Sequence, residues 1–177
     1  MATVTIRPAG PGAADAPALA AALLRNRAYM RPWEPHRTGA YYTVEAQAAR
    51  LGDGARRWFA VVEGAEGDRI VGAATLSGIA LGPFRSGSLG YWVDEEYAGR
   101  GLATALVEEV CRAAREELGL HRVEAGTLLR NHASQRVLAK CGFARIGTAP
   151  HYLHIDGAWR DHHLFQRILH DDPPPRT

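Results

Sequence analysis

The sequence predicts an α+β fold, an α/β sandwich in which a mixed, mostly antiparallel sheet of about six or seven strands carries helices on both faces. Segments of strand length stand before, between and after the segments with helical spacing. Two pairs of strands are joined by glycine-containing turns, which is typical of antiparallel hairpins, and one strand–helix–strand series indicates a parallel crossover. At 177 residues we expect one domain over 1–170 and a disordered, proline-rich tail over 171–177.

The N-terminal segment predicts a strand and a helix. Thr3–Arg7 alternates as a strand does. Asp15 can cap a helix that has Pro17 in its first turn and runs to about Met30. The sequence RPWEP over 31–35 ends that helix, because proline lacks the backbone N–H that a helix needs.

The middle of the chain predicts a short helix and then three strands. Thr43 is expected to cap a helix that ends near Arg50. Apolar and β-branched residues over 58–63 and 69–80 flank a glycine-rich turn and predict a hairpin. The apolar run Leu89–Val93 has the length of a strand and precedes the segment with the clearest motif.

The C-terminal half predicts two helices among strands. From Leu102 to Leu118 apolar residues recur every three or four positions, which is typical of an amphipathic helix. Asp156-Gly157 suits the two-residue turn of a second hairpin. The remaining predicted elements are a strand over 121–127, a helix opened by Asn131 and closed by Gly142, a strand over 143–148, and hairpin strands over 152–155 and 158–169.

Gly99 and Gly101 stand where the long helix begins, so this loop is a candidate anion site. The first N–H groups of a helix lack partners, and the helix dipole favours negative charge there. A phosphate-binding Walker loop is excluded, because no lysine follows either glycine. A dinucleotide fingerprint fits poorly, because Thr104 stands at its third glycine and five residues separate Val93 from the loop.

The loop EYAGRG over 96–101 resembles the acyl-CoA loop Q/R-x-x-G-x-G/A of the GNAT superfamily of N-acetyltransferases, with Glu96 at the usual Gln or Arg position. A second block, RNHASQRVLAKCGF, resembles the N-x-x-S-x-x-V-L-x-K-x-G-F pattern of the RimJ/RimL-like branch, which acetylates protein N-termini. The late stretch YLHIDGAWRDHHLF is similar to the same branch. The resemblance implies the GNAT fold and an acetyl-CoA-dependent N-acetyltransferase.

By this resemblance acetyl-CoA lies along the strand that ends at Val93, whose N–H meets the thioester oxygen, and its pyrophosphate lies on the glycine loop. Asn131 is both a strong helix cap and a contact to the CoA arm. Lys140, with Arg136, either meets the 3′-phosphate or is simply solvated. The residues expected to bind the cofactor are Trp92, Val93, Gly99, Arg100, Gly101, Leu102, Ala103, Thr104, Asn131, Ser134 and Lys140.

Two residues are the catalytic candidates. Many GNAT enzymes carry an acidic tyrosine where this chain has Leu138, which cannot donate a proton. The resemblance to the RimJ/RimL-like branch implies instead that Ser134 lies beside the CoA sulfur and takes the place of that donor. Glu124 could take the amine proton through water, although an ion pair with Arg122 or Arg145 is the alternative interpretation.

The acceptor amine is expected near Trp33 and Glu34, in the loop that borders it in this branch, with His151 lining the mouth. The acceptor could be a peptide N-terminus or a small amine such as an antibiotic, a polyamine or an amino-acid derivative. A non-catalytic acyl-CoA sensor and, more distantly, a dinucleotide-dependent oxidoreductase stay open. We expect no metal, because His151 and His154 point to opposite faces of a strand and no cysteine joins them.

Composition gives no reason to expect nucleic acid or a membrane as a partner. The net charge is +2, and no apolar run reaches the length of a membrane span. Cys111 and Cys141 form no C-x-x-C pair and fall at core-like helical positions, so we expect buried thiols in a cytoplasmic protein. A homodimer is left open.

Overall fold

A computed structural model describes residues 3–64 and 67–174. Within these residues, three single 3₁₀ turns lie at Arg31–Trp33, Gly39–Tyr42 and Glu95–Tyr97. The helices and strands within the described residues are β1 (Val4–Pro8), α1 (Ala16–Arg25), α2 (Arg27–Met30), α3 (Val44–Leu51), β2 (Arg56–Val62), β3 (Arg69–Ala80), β4 (Ser86–Val93), α4 (Leu102–Glu116), β5 (Arg122–Leu128), α5 (His132–Lys140), β6 (Ala144–Ile155) and β7 (Ala158–Ile168).

The strands form one seven-stranded sheet in the order β1-β2-β3-β4-β5-β7-β6. Five of the neighbouring pairs are antiparallel, and β4 and β5 are parallel. The parallel pair is joined through α4, which is the crossover that the strand–helix–strand series predicts. This mixed, mostly antiparallel sheet confirms the predicted fold class.

Helices cover both faces of the sheet, as strand β2 illustrates. Trp58 and Ala60 belong to the larger core, which contains α4 and α5 side chains. Phe59 and Val61 point the other way, into a smaller core with Leu23 and other α1 side chains. Because successive strand residues alternate between faces, a strand buried on both sides reads as a continuous apolar run.

The helix predicted to run to Met30 is broken at Asn26, where α1 ends. The Asn26 side chain is buried; its Nδ2 donates to Ala22 O at 2.9 Å and its Oδ1 accepts from Glu95 N at 3.0 Å. The neighbouring Arg25 forms a 2.6 Å ion pair with buried Asp94, just beyond β4. Burial would raise the pKa of Asp94, but the hydrogen bonds from Arg25 and Asn26 outweigh it and hold that pKa below its usual value. These contacts fasten α1 to the end of β4.

The strands predicted over 143–148 and 152–155 are one strand, β6, so the prediction of a break between them was wrong. Ala149 pairs with His162 and Leu153 pairs with Arg160, so four steps along β6 face two steps along β7. The extra residues form an irregularity in which His151 has a φ of +48°. A bulge bends a strand without ending its pairing.

The C-terminal residues 171–174 follow β7 without helix or strand, and 175–177 lie outside the described residues. The single domain over 1–170 and the disordered tail therefore stay predictions. In the part of the chain that the structure describes, no helix is both long enough and apolar enough to cross a membrane.

Candidate active site

A cleft of about 680 Å³ opens in the sheet where β4 and β5 diverge. The two strands pair only from Ser86–Ser88 to Arg122–Glu124. Beyond these pairs, Leu89–Val93 and Ala125–Leu128 line opposite walls of the cleft. Strand edges without a neighbour present free N–H and C=O groups. The cleft can therefore hold an extended ligand that carries amides.

The backbone of Val93 is oriented toward this cleft. The next residue, Asp94, donates its N–H to Val71 O of β3 at 2.9 Å. Because successive N–H groups of an extended chain point to opposite edges, the Val93 N–H points away from β3 and toward the cleft. A single N–H at this position can meet a carbonyl oxygen bound between the strands.

The glycine loop at one end of the cleft has the geometry that an anion site needs. Gly99 and Gly101 have φ values of +75° and +81°, a region that side chains rarely adopt, and a Cβ at either position would meet nothing within 4 Å. Gly101 is the N-cap of α4, and no side chain caps the helix there. The open helix start lines the cleft through Gly99, Gly101, Leu102, Ala103 and Thr104. Helix N–H groups that point into open space bind anions.

Basic side chains near the loop differ in position. Arg136 and Lys140 of α5 line the cleft and are exposed, and neither forms an ion pair within the described residues. Arg100 is not part of the cleft wall, and its guanidinium lies 5.4 Å from the centre of the Tyr97 ring. Any contribution of Arg100 to an anion there would come from its backbone. Glu96 is paired with Arg69 at 2.6 Å.

The start of α5 brings Asn131 and Ser134 to the cleft wall. The Asn131 side chain accepts from Ser134 N at 3.1 Å, so the predicted helix cap is confirmed. The Ser134 Oγ lies 2.7 Å from the hydroxyl of Tyr91 on β4. Burial raises the pKa of Tyr91 to about 12. Leu138 is fully buried below them and offers no proton donor.

Cys111 and Cys141 are both buried, as the sequence predicts. Burial raises the pKa of Cys111 to about 11 and that of Cys141 to about 12. Cys141 lies 3.7 Å from Thr104 O, beneath the glycine loop. Thiols with raised pKa values are poor nucleophiles near neutral pH, so neither is a candidate for a covalent acyl-enzyme.

Trp33 and Glu34 line the far end of the cleft, where the sequence places the acceptor. Glu34 O accepts from Asp156 N at 3.0 Å, so the turn after α2 is tied to the β6–β7 hairpin. Burial raises the pKa of the Glu34 carboxyl, while the charges of Arg37 and Arg50 oppose the rise. Within the described residues this carboxylate has no ion pair.

Four further side chains at or behind the acceptor end, those of Arg37, Tyr41, Gln47 and Arg50, were not identified from the sequence. Arg50 donates to Tyr41 Oη at 2.8 Å and to Gln47 Oε1 at 2.9 Å. Arg37 lies 4.4 Å from the centre of the same tyrosine ring. Gln47 is fully buried and donates in turn to the Tyr41 carbonyl. These side chains come from a helix, a 3₁₀ turn and a loop, and no local sequence pattern predicts that these three elements contact one another.

Glu124 and His151 do not line the cleft, and the roles expected of them as base and as part of the acceptor mouth stay predictions. Glu124 forms an ion pair with Arg122, its side chain is 38% exposed, and it is absent from the cleft wall. His151 lies in the β6 bulge with its side chain exposed, while Leu153 lines the cleft. Among the described residues no three His, Cys, Asp or Glu side chains are grouped as a metal ion would require.

Thr127 of β5 is another residue of the cleft that was not identified from the sequence. It lines the cleft and is 4% exposed, and its Oγ1 has no hydrogen-bond partner among the described residues. A buried hydroxyl without a partner costs free energy unless a ligand or water satisfies it. The period-2 pattern of β5 places Thr127 on the same face as the core residues Val123 and Ala125, which was the available signal.

Comparison with known proteins places the chain among acetyltransferases. A family model described as the acetyltransferase (GNAT) domain matches residues 3–144. The chain is 35% identical over 153 residues to the probable N-acetyltransferase YjcK of Bacillus subtilis, covering 83% of this chain and 84% of that protein. It is 32% identical over 169 residues to the ribosomal protein uS5-alanine N-acetyltransferase of Escherichia coli, covering 92% and 87%.

Solved structures give the same result. A ribosomal-protein-S5-alanine acetyltransferase from Vibrio fischeri superposes with a TM-score of 0.88 at 34% identity, covering 97% of this chain and 96% of that one. RimJ from Mycobacterium smegmatis, in complex with CoA-disulfide, superposes with a TM-score of 0.82 at 30% identity, covering 93% and 81%.

Proposed function

The chain belongs to the acetyltransferase (GNAT) family and is an acetyl-CoA-dependent N-acetyltransferase, and on that premise we propose that its acceptor is the α-amino group of a protein or peptide N-terminus. The similarity to an enzyme that acetylates an alanine of ribosomal protein uS5 supports this acceptor. A small-molecule amine is the competing acceptor, and the charges of the cleft separate the two.

The charge at the acceptor end is the observation that carries the proposal. Glu34 is the carboxylate of this end, and Arg37 and Arg50 stand on the same wall without an ion pair among the described residues. One carboxylate suits one ammonium, whereas a polyamine with several positive charges would meet two guanidinium groups. Tyr29 and Trp33, each 38% exposed, offer apolar surface along which a peptide can lie.

The donor is proposed to bind as the sequence predicts. The pyrophosphate takes the N–H groups at the start of α4, from Gly99 to Thr104, and the pantetheine arm lies between the diverging strands β4 and β5. Asn131 is positioned for the arm, because its Oδ1 caps α5 while its Nδ2 donates to no described residue. Lys140 is assigned to the 3′-phosphate.

Acetyl transfer then proceeds by direct attack in a ternary complex. The neutral amine attacks the thioester carbon, the C–N bond forms and the C–S bond breaks. The Val93 N–H stabilises the oxyanion, and the Ser134 hydroxyl hydrogen-bonds to the leaving sulfur. One proton leaves the amine and one is taken up by the thiolate through water, so the products are the amide and free CoA. Because an α-amine has a pKa near 8, the site needs no strong base.

A panel of acceptors tests this function. We expect unblocked short peptides to be acetylated on the α-amine, with at least about a tenfold higher kcat/KM than spermidine or an aminoglycoside. Free thiol release gives the rate, and product mass locates the acetyl group. The same peptides with a blocked N-terminus and an internal lysine should give no product. A polyamine that outperforms every peptide would refute the acceptor, and no turnover with any amine would favour an acyl-CoA sensor.

Glu34→Gln is expected to weaken acceptor binding. Removing the charge that faces the ammonium should raise the KM for the peptide by about tenfold, with little change in acetyl-CoA affinity. Steady-state kinetics with the peptide as the varied substrate measures this effect.

Glu124→Gln is the matched comparison, since it removes a carboxylate that lies outside the cleft. We expect its peptide KM and kcat to stay within about twofold of the unmodified enzyme. If Glu124→Gln were the slow variant and Glu34→Gln were normal, the result would support Glu124 as the base and the assignment of Glu34 would be wrong.

A further inference from the structure

Tyr91 is a partly buried polar side chain that has no assigned role in the reaction described above. It lies on β4 between Leu89 and Val93 and packs against the larger core, beneath the first turn of α5. Its hydroxyl lies 2.7 Å from Ser134 Oγ and 3.2 Å from the Ser134 carbonyl oxygen. Within the described residues, Ser134 supplies every hydrogen-bond partner of this hydroxyl.

Two hydrogen placements are compatible with these distances. If the phenol donates to the Ser134 carbonyl, the serine hydrogen is drawn to the phenol oxygen. If the phenol donates to Ser134 Oγ, the serine hydrogen is free to turn into the cleft. A sulfur atom that acquires negative charge in the cleft attracts the serine hydrogen and therefore favours the second placement.

We propose that Tyr91 is a positioning residue that aims the Ser134 hydroxyl at the CoA sulfur by donating its own hydrogen bond to Ser134 Oγ. The proposal rests on the role assigned to Ser134 above. Tyr91 gives up no proton: it stays a neutral donor while the C–N bond forms and the C–S bond breaks. Donation from Tyr91 polarises the Ser134 O–H and makes it a better donor to the departing thiolate.

Burial supports this role for Tyr91. With a pKa of about 12 the phenol keeps its proton at any pH at which the amine is reactive, so its donor capacity does not titrate away. Because Tyr91 is held on a strand of the central sheet, no conformational entropy is lost in ordering it when substrate binds. The serine alone, near the start of a helix, has three rotamers and no other side-chain partner among the described residues.

Tyr91→Phe is the test, since it removes one oxygen atom and keeps the ring. We expect kcat to fall by about 5- to 20-fold, because the serine hydroxyl loses its orientation. The Kd of acetyl-CoA should stay within about twofold, because the loop amides are untouched. 3-Fluorotyrosine at position 91 retains the hydroxyl and should keep kcat within about twofold. Tyr152→Phe removes a tyrosine hydroxyl outside the cleft and should keep normal kcat.

A double-mutant cycle with Ser134→Ala shows whether Tyr91 acts through the serine. The double variant is expected to have the kcat of Ser134→Ala alone, within about twofold, since the phenol has nothing left to orient. A double variant whose loss is the product of the two single losses would overturn the proposal, and so would a normal kcat for Tyr91→Phe. A loss of acetyl-CoA affinity that parallels the loss of kcat would assign Tyr91 a structural role instead.

The failure of this proposal can be told from the failure of the acceptor assignment. All kcat ratios are measured with whichever amine the unmodified enzyme acetylates, so an incorrect acceptor class leaves them intact. A normal kcat for Ser134→Ala together with a slow Tyr91→Phe would remove the serine from the reaction and overturn both roles, while leaving the peptide result unaffected.

Discussion

Replacement of Gly101 by aspartate is expected to reduce acetyl-CoA affinity by at least about 100-fold, which corresponds to about 2.7 kcal/mol. The aspartate would place a carboxylate at the N-cap of α4, in the space where the structure leaves N–H groups free for an anion. The φ of +81° at this position adds backbone strain of about 1–2 kcal/mol for a residue with a side chain. Isothermal titration calorimetry with acetyl-CoA measures the loss.

Gly54→Asp is the matched control for this substitution. Gly54 has a φ of +84° and open space around it, and it lies outside the cleft, so it carries the same strain and charge without the anion site. We expect it to bind acetyl-CoA normally. Gly101→Ala separates strain from charge and should lose much less affinity than Gly101→Asp. A folded Gly101→Asp protein with unchanged acetyl-CoA affinity would show that the loop does not bind the pyrophosphate.

The loop could be predicted from the sequence because its determinants are local. Two glycines, a preceding apolar strand and an amphipathic helix stand within about 30 consecutive residues, and each has its own periodicity or conformational requirement. The predicted helix start at Leu102 and the cap by Asn131 are confirmed. The resemblance to the GNAT family then added the identity of the anion, which the physical pattern alone could not give.

The position of Glu124 outside the cleft could not be predicted, because a strand pattern fixes alternation but not which wall of a cleft a residue joins. The carboxylate lies where β4 and β5 are still paired, before the two strands diverge. The divergence begins at Ala125, and nothing in the residues of β5 marks that point. The position of His151 could not be predicted for a related reason, because the bulge in β6 interrupts the regular alternation and turns Leu153 to the cleft.

Only some of the residues at the acceptor end of the cleft could be predicted from the sequence. Trp33 and Glu34 stood out because two prolines interrupt a helix around them. Arg37 and Arg50 reach the same wall by stacking on Tyr41, through contacts that are tertiary. Side chains brought together in this way have no periodic signature, although they set the charge that any acceptor must meet.

Ser134→Ala is expected to lower kcat by about 10- to 100-fold, or about 1.4–2.7 kcal/mol in the barrier. Leu138 stands where many relatives carry a tyrosine, and it is fully buried, so the leaving thiolate depends on another donor. The cap at Asn131 accepts from the Ser134 backbone N–H and not from its hydroxyl, so alanine keeps the helix start. Acetyl-CoA affinity should therefore change little. Steady-state kinetics with a confirmed acceptor measures kcat.

Two further variants make the Ser134 result specific. Ser134→Cys should recover little of the lost rate, because a thiol is a weak hydrogen-bond donor. Ser88→Ala removes an exposed hydroxyl from β4 outside the cleft and should have normal kcat. Water can replace the serine hydroxyl in part, which is why the loss is smaller than that for a group whose proton must be transferred. An unchanged kcat for Ser134→Ala would show that in the unmodified enzyme the Ser134 hydroxyl serves only as a hydrogen-bond partner of Tyr91. The CoA thiolate would then leave toward water without a hydrogen-bond donor from α5.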